Sequence, residues 1–264
     1  MSADKTLYVF DIIYASFVSM VPGLKEVRTV YMSDVDGIIA GPESPDKILI
    51  DCSTVDIKTA KEVVAAIMKA RRDQEQGAHA YRCFPRLQGG VPAAEQQTLS
   101  FMVGHAPPRE SLDDPSTTKM KRIFSMMGDP AKLFWCGALG TGLAAKISNN
   151  YISCSVLLLV TEAMATGTRL GVDPKLLHQI IQNSTGQTWM NDNVCPIPGV
   201  VDHAPSSNNW QLGFKTPMFI KDISLGVDAA RQAGIEPTMA SAALSVYKRA
   251  AVNPLCIDRD GSSV

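Results

Sequence analysis

The feature that most constrains the fold is one uninterrupted helical pattern of nearly thirty residues, from Leu143 to Gly171. Before it, short apolar runs alternate with segments of helical periodicity, whereas no strand pattern follows it. Alternating strands and helices predict a parallel α/β sheet, and helices alone predict an all-helical domain. The predicted fold class is therefore α/β plus all-α, with one domain over residues 1–138 and an all-helical domain over residues 139–264.

The individual elements follow from the same periodicities. Strands are predicted in the first half at 6–12, 16–22, 47–54, 98–105 and 132–137, and helices at 59–77 and 117–128. Helices are predicted in the second half at 173–186, 214–234 and 237–252. Asp173 followed by a proline has the pattern of an N-cap and an N1 proline, which begin the first of these helices.

Composition limits the class of partner. The chain is 45% hydrophobic and 19% charged with a net charge of −1, which argues against nucleic acid or an anionic membrane held by charge, so we expect a small-molecule ligand. The six cysteines show no metal-ligand spacing and predict free thiols rather than a metal or disulfide framework. The most apolar run ends at Thr161 and Glu162, short of the ~20 residues of a membrane span, and no signal or transit peptide is visible at the N-terminus.

Lys146 and Asn150 are the residues whose spacing points to chemistry. Four positions apart on one helix, they share a face, and a lysine whose pKa is lowered acts as a general acid or base. The structural alternative is a solvent-facing lysine beside a capping asparagine. The preceding Gly140-Thr141-Gly142 lacks the third glycine of a dinucleotide fingerprint, and we interpret it as the connection into the helix.

Several separate motifs resemble the β-hydroxyacid dehydrogenase family, in the family's order and over most of the chain. They are "LIDCSTVD" (49–56), "GGVPAAEQQTLSFMVG" (89–104), "GTGLAAKISNNYI" (140–152) and "GFKTPMFIKDISLGVDAA" (213–230). The stretch 195–214 is most similar to the 3-hydroxyisobutyrate dehydrogenase branch. The resemblance implies an N-terminal Rossmann domain, a helical C-terminal domain that contributes to dimerisation, and NAD as the cofactor.

The resemblance also implies a role for each matching residue near the substrate. Lys146 matches the catalytic lysine, which takes the hydroxyl proton as hydride leaves the same carbon. Asn150 matches the substrate-binding asparagine. The family's Ser-Gly-Gly substrate loop corresponds to Gln88, Gly89 and Gly90, where the serine has become glutamine.

A second set of residues matches the family's cofactor contacts. Thr54 corresponds to a threonine near the nicotinamide, and Val21 and Pro22 stand where the family has a Leu-Pro pair. Lys221 corresponds to the lysine that reaches back toward the cofactor, although Lys221 followed by an aspartate is also typical of an exposed helical pair. Asp11 ends a strand and is suited to the adenosine ribose hydroxyls, which favours NAD over NADP.

The chain departs from the family in two places. It contains no G-x-G-x-x-G, and only Ile12 to Ala15 separate the first two predicted strands, too few for the expected crossover helix, so the first βα unit is predicted to be missing. The loop 83–90 runs one residue longer than in the family and contains Arg86, which has the chemistry to pair with a carboxylate or to disrupt the loop.

The function implied by the resemblance is NAD-dependent oxidation of 3-hydroxyisobutyrate to methylmalonate semialdehyde in valine catabolism, impaired by the missing glycine loop. Two alternatives stay open: a non-catalytic dimerising remnant, and a dehydrogenase of another small 3-hydroxy acid. The resemblance further implies a homodimer or homotetramer, and a mitochondrial location, with the cytoplasm as the alternative because no transit peptide is visible.

Overall fold

A computed structural model describes residues 8–12, 16–41, 48–70, 80–82, 85–86, 96–105, 115–211 and 213–264. The chain divides into two compact units, Met1–Lys146 and Ile147–Val264. The first contains every described strand, and the second contains only helices and irregular segments. The predicted fold class, a Rossmann-like parallel α/β domain followed by a helical one, is confirmed. The predicted boundary after residue 138 falls a little earlier than this division and stays a prediction.

The described part of the first unit contains seven strands in two short sheets. They are β1 (Tyr8–Ile12), β2 (Ser16–Met20), β3 (Ile48–Asp51), β4 (Ala80–Arg82), β5 (Pro85–Arg86), β6 (Leu99–Val103) and β7 (Gly128–Trp135). One sheet has the order β1-β2-β3-β4 and the other β5-β6-β7. The pairs β2–β3, β3–β4 and β6–β7 are parallel, as the alternating pattern predicts.

The pairing of β1 with β2 is antiparallel, with Tyr8 opposite Met20 and Ile12 opposite Ser16. The expectation of a parallel sheet is therefore wrong at this edge. Its reason lies in the sequence itself, because a parallel crossover needs about a dozen residues and only residues 13–15 lie between these strands. The antiparallel β5–β6 pair is a second departure.

Among the described residues of this unit, three helices cover the sheets: α1 (Leu24–Met32), α2 (Ile57–Ala70) and α3 (Pro115–Met127). Helix α1 was not among the predicted helices; it makes the crossover between β2 and β3. It buries Val27 and Tyr31, four positions apart, against α2. In a second hydrophobic core of this unit, the rings of Phe101 on β6 and Phe124 on α3 stack with their centroids 4.7 Å apart.

A glycine-containing turn leads from β7 into the long helix α4 (Thr141–Arg169). Gly137 and Gly140 have φ angles of 97° and 96°, a region that favours glycine. A Cβ on Gly142 would lie 2.3 Å from the Met102 carbonyl oxygen, so this glycine lets the first turn of α4 pack directly on β6. These contacts support the interpretation of the glycines as the connection into the helix.

The predicted long helix is confirmed by α4, which has 29 residues. By length and mean hydropathy it is capable of crossing a membrane, but 44% of its most apolar stretch is buried inside the protein. The core helix of a soluble protein meets the same criteria of length and composition.

The second unit adds α5 (Pro174–Gln182), α6 (Trp189–Val194), α7 (Thr216–Gln232) and α8 (Thr238–Ala250) to the rest of α4. The predicted N-cap is present, since the Asp173 side chain accepts a hydrogen bond of 2.9 Å from the Leu176 amide. The largest core joins α4, α7 and α8 around Tyr247, whose hydroxyl donates to the Cys154 carbonyl at 2.9 Å.

Candidate active site

Lys146 and Asn150 are both buried in the structure. Lys146 is 3% exposed and Asn150 8%, one helical turn apart on α4. The alternative of a solvent-facing lysine beside a capping asparagine is therefore wrong, because neither side chain faces water and Asn150 lies within the helix. A buried lysine and a buried carboxamide are costly unless their polar atoms have partners, so this helix face is built to engage polar groups.

Asn150 is held by a carboxylate from α7. Its Nδ2 donates to Asp222 Oδ2 at 2.7 Å, and its Oδ1 accepts from Asn149 Nδ2 at 3.3 Å. Asp222 is 3% exposed, and its Oδ1 also lies 3.1 Å from Lys221 Nζ. Because an ionised carboxylate only accepts hydrogen bonds, Asp222 fixes which end of the Asn150 amide faces it. One aspartate thus joins the predicted substrate residue to the predicted cofactor lysine.

Asp222 reaches this position because it lies on the buried stripe of α7. Phe219, Ile223 and Gly226 share that stripe at helical spacing, and all are buried. A Cβ on Gly226 would lie 2.9 Å from Tyr151 Cδ2, so the glycine lets α7 approach α4 closely beside Asn150. From the sequence, Asp222 is predicted only as the neighbour of Lys221, and this role is not. The helical spacing from Phe219 was the signal that marks Asp222 as inward-facing.

In the first unit, the predicted cofactor residues follow two neighbouring parallel strands. Val21 and Pro22 come directly after β2, and Thr54 lies in the segment after β3. Val21 is 6% exposed, Pro22 is exposed and Thr54 is half-buried. The Val21 amide donates to Ser53 Oγ at 2.9 Å, which ties the two segments together. The carboxyl ends of parallel strands are where ligands bind in α/β folds.

Other predicted site residues are not described in the same detail. Gln88, Gly89 and Gly90 lie outside the described residues, and for Asp11 the structure describes only the backbone of β1. The roles of these four residues stay predictions.

Metal and thiol chemistry find little support among the described residues. No group of three or more His, Cys, Asp or Glu side chains there is placed to hold a metal ion. Five of the six cysteines are described, and each is a free thiol. Burial, and to a smaller extent the charge of Asp51, raises the pKa of the Cys52 thiol, so Cys52 stays protonated and is a poor nucleophile. The chemistry of the described residues rests on amine, amide and carboxylate groups.

Two family models together cover nearly the whole chain. Residues 8–137 match the NAD binding domain of 6-phosphogluconate dehydrogenase. Residues 140–264 match the family described as the NAD-binding domain of NADP-dependent 3-hydroxyisobutyrate dehydrogenase. Both descriptions name domains that bind NAD(P), which identifies the cofactor class of the family.

Known relatives agree with these matches. The mitochondrial 3-hydroxyisobutyrate dehydrogenase of Homo sapiens is 37% identical over 201 residues, covering 76% of this chain and 55% of that protein. The NAD-dependent L-serine dehydrogenase of Pseudomonas aeruginosa is 32% identical over 231 residues, covering 88% of this chain and 71% of that protein. The structure of Mycobacterium tuberculosis 3-hydroxyisobutyrate dehydrogenase with L-serine superposes with a TM-score of 0.77 at 29% identity, covering 94% of this chain and 77% of that one. This chain thus spans little more than half the length of the human relative.

Proposed function

The chain belongs to the β-hydroxyacid dehydrogenase family, and on that premise we propose that it oxidises 3-hydroxyisobutyrate to methylmalonate semialdehyde with NAD. The observation that carries the proposal is the buried pair Lys146 and Asn150 on one face of α4. We propose that this oxidation serves valine breakdown, in which it consumes the hydroxy acid.

Lys146 is the proposed general base. Burial disfavours the charged form of an amine, and the neutral amine is the form that accepts a proton. The hydroxyl proton of the substrate moves to Lys146 Nζ as the O–H bond breaks, and the C–O bond becomes a carbonyl. When bound, NAD accepts the hydride from the same carbon.

Asn150 is the proposed substrate-binding residue, and Asp222 holds it. With one Nδ2 hydrogen donated to Asp222, Asn150 keeps a second N–H for a substrate oxygen. Fixing the amide before the substrate binds lowers the entropy that is lost on binding. Gln88, Gly89 and Gly90 are further proposed substrate-binding residues, on the resemblance alone.

Val21, Pro22 and Thr54, which follow adjacent parallel strands of the first unit, are the proposed contacts of the nicotinamide. Lys221, which is paired with a buried carboxylate in the second unit, is a further proposed cofactor residue. The chain has no G-x-G-x-x-G, which normally brings backbone amides to the pyrophosphate at a helix N-terminus. We therefore expect NAD to bind weakly. Asp11 on β1 is the proposed ribose contact.

L-serine is the second candidate substrate. It is also a 3-hydroxy acid, and this chain covers 71% of the Pseudomonas aeruginosa L-serine dehydrogenase. The Mycobacterium tuberculosis structure was obtained with L-serine. The two acids differ by an amino group in place of a methyl group, so their relative rates report on the residues near that carbon.

We further propose a homo-oligomer in mitochondria. The mammalian relatives are named as mitochondrial enzymes, and α4 exposes Ile152 and Leu159, which are 62% and 49% exposed in the single chain. Exposed apolar side chains on a helix favour association with another surface. Light scattering measures the mass in solution, and imaging of the tagged gene product tests the location.

The first test measures whether the chain binds NAD. We expect millimolar NAD to raise the thermal unfolding temperature, since a ligand that binds only the folded state stabilises it. No shift at millimolar NAD would contradict the proposed function and favour the non-catalytic alternative. Rates with 3-hydroxyisobutyrate, L-serine and 4-hydroxybutyrate then identify the substrate.

The second test removes the proposed base. Lys146→Ala is expected to lower kcat by about a hundredfold or more while NAD binding stays unchanged, because general base catalysis contributes roughly that much. The control is Lys248→Ala, an exposed lysine on α8. Retained turnover in the Lys146 variant would overturn its assignment.

A further inference from the structure

A buried hydrogen-bonded network lies at the carboxyl ends of β2 and β3, beneath the predicted cofactor residues. Asp51, the last residue of β3, is 2% exposed. Its parallel partner in register is Ser19 on β2, so the two side chains leave the sheet on the same face. Ser19 Oγ donates to Asp51 Oδ1 at 3.1 Å. Tyr31 of α1 has its hydroxyl 2.7 Å from Ser19 Oγ, and because Ser19 already donates to the carboxylate, Tyr31 is the donor.

The same carboxylate also holds the segment that follows β3. The Ser53 amide donates to Asp51 Oδ1 at 3.1 Å, and Ser53 Oγ accepts from the Val21 amide at 2.9 Å. The Cys52 amide adds a bond of 2.6 Å to the Ser19 carbonyl. The Val21 backbone is therefore fixed to the Ser53 side chain, and the Ser53 backbone is fixed in turn to the buried Asp51 carboxylate.

We propose that Asp51 is a positioning residue that holds the segments after β2 and β3 in the conformation that binds NAD, acting through Ser53. This proposal rests on the proposed function, because Val21, Pro22 and Thr54 are its cofactor contacts. Desolvating a carboxylate is costly unless donors compensate it. Here Asp51 Oδ1 accepts from Ser19 Oγ on β2 and from the Ser53 amide of the segment after β3, so the donors that offset this cost also fix the geometry.

The order of these contact segments contributes to NAD affinity, since ordering them only on binding would weaken it. Loosening Asp51 or Ser53 is therefore expected to affect NAD binding more than the chemical step.

The first experiment measures hydrogen exchange of the Val21 amide in the full chain without cofactor. Ser53→Ala removes the acceptor of that amide, and we expect Val21 to exchange about tenfold faster, as for the loss of one hydrogen bond of roughly 1.4 kcal/mol. Ser100→Ala makes the same chemical change at a serine of β6 that is 1% exposed, and it is expected to leave Val21 unchanged. Equal exchange in both variants would overturn the positioning role.

The second experiment measures NAD dissociation constants, and KM and kcat where turnover is seen. Ser53→Ala and Asp51→Ala are expected to raise the NAD dissociation constant and KM about five- to tenfold, with kcat within about twofold of wild type. Asp51→Asn keeps an acceptor oxygen and is expected to restore most of the affinity. Tyr31→Phe removes only the hydrogen bond from the Tyr31 hydroxyl to Ser19 Oγ, and this variant replaces Asp51→Ala in the test if Asp51→Ala does not fold.

Two outcomes separate the failure of this proposal from that of the proposed function. If the wild-type chain binds no NAD, the proposed function is overturned, and so is the link between Asp51 and NAD affinity. Hydrogen exchange of the Val21 amide then still decides whether Ser53 fixes the backbone. A wild-type chain that binds NAD, with Ser53→Ala binding it equally well, overturns the positioning proposal alone. In Ser53→Ala, a fall in kcat at a constant KM for NAD would also overturn the positioning proposal.

Discussion

Replacing Asp222 by asparagine is the most informative single change in the helical unit. The side chain keeps its shape, but one acceptor oxygen becomes an NH₂ donor and the negative charge is lost. In wild type the two oxygens face two donors, Asn150 Nδ2 at 2.7 Å and Lys221 Nζ at 3.1 Å. In Asp222→Asn one of these contacts must place a donor against a donor.

The expected cost follows from the burial of each partner. The asparagine keeps one acceptor oxygen for the Asn150 amide, but this bond between two buried groups loses its charged acceptor, which costs about 1–2 kcal/mol. The contact that then meets a donor is the one with Lys221, whose side chain is 28% exposed; water screens its ion pair, so the loss of that pair adds less than about 1 kcal/mol. We therefore expect Asp222→Asn to lower the free energy of unfolding by about 1–3 kcal/mol.

Urea unfolding followed by tryptophan fluorescence measures this quantity. Because two units need not unfold together, the assay uses a Trp135→Phe background, which leaves Trp189 and Trp210 as probes in the helical unit. With a slope of about 2 kcal/mol per molar urea, the midpoint is expected to fall by roughly 1 M.

A double-mutant cycle identifies the partner responsible. Asp222→Asn combined with Asn150→Ala is expected to show a coupling energy of about 1 kcal/mol, because both changes act on the same bond. Asp222→Asn combined with Asp173→Ala, a cap on another helix, is expected to be additive. An unchanged midpoint in Asp222→Asn, or additivity with Asn150→Ala, would refute the assignment of Asp222 as the residue that holds the amide.

Two further predictions concern packing and pH. Gly142→Ala brings a Cβ to 2.3 Å from the Met102 carbonyl oxygen and is expected to cost at least 1–3 kcal/mol in thermal unfolding, whereas Gly186→Ala, which meets only an ordinary contact at 3.5 Å, is expected to be tolerated; equal unfolding temperatures would contradict this. Burial raises the pKa of the Asp260 carboxyl above 3.8, and this effect outweighs the hydrogen bonds from Ser262, which lower the pKa. Because the folded protein holds this proton more tightly than the unfolded chain, Asp260 stabilises the fold at low pH, and the contribution is lost as the pH rises through the raised pKa. Urea midpoints between pH 4 and 7 should fall more steeply in wild type than in Asp260→Asn, and parallel slopes would contradict the shift.

The helices that the sequence predicts correctly are those with strong local signals. The pattern from Leu143 onward is apolar over many turns, and Asp173 with the following proline marks a helix start that the structure shows with a side-chain cap. These signals lie within a few residues of the elements they specify, so no knowledge of tertiary contacts is needed to read them.

Helix α1 was missed because it lacks such signals. Gly23 precedes it without a side-chain cap, and it is 9 residues long. Only Val27 and Tyr31 are buried, which is too short a stripe for its periodicity to stand out. The helix is fixed by packing against α2 and by the bond between Tyr31 and Ser19, which are contacts across the fold.

The residues that support the candidate site were harder still to predict. Asp222 contacts a residue 72 positions away, and Val21 is tied to Ser53 at a separation of 32. A single sequence shows each as a polar residue near an apolar pattern, and only the packing of α7 on α4, or of β2 beside β3, brings the partners together. The resemblance identified the residues proposed to touch substrate and cofactor, but not the groups that hold them.

The geometry of the Lys146–Asn150 pair is fixed differently from that of the hydrogen bonds around Asp222 and Asp51. The two residues lie four positions apart on one continuous helix, so their axial separation is about 6 Å from the helical rise alone. That spacing does not depend on the sheets of the first unit, on the length of β1 or on a glycine loop. The contacts after β2 and β3, by contrast, exist only when the sheet and α1 are formed. If the proposed roles hold, changes to the strands of the first unit are therefore expected to act first on NAD affinity, through the segments that Asp51 holds, and to leave the spacing of Lys146 and Asn150 intact.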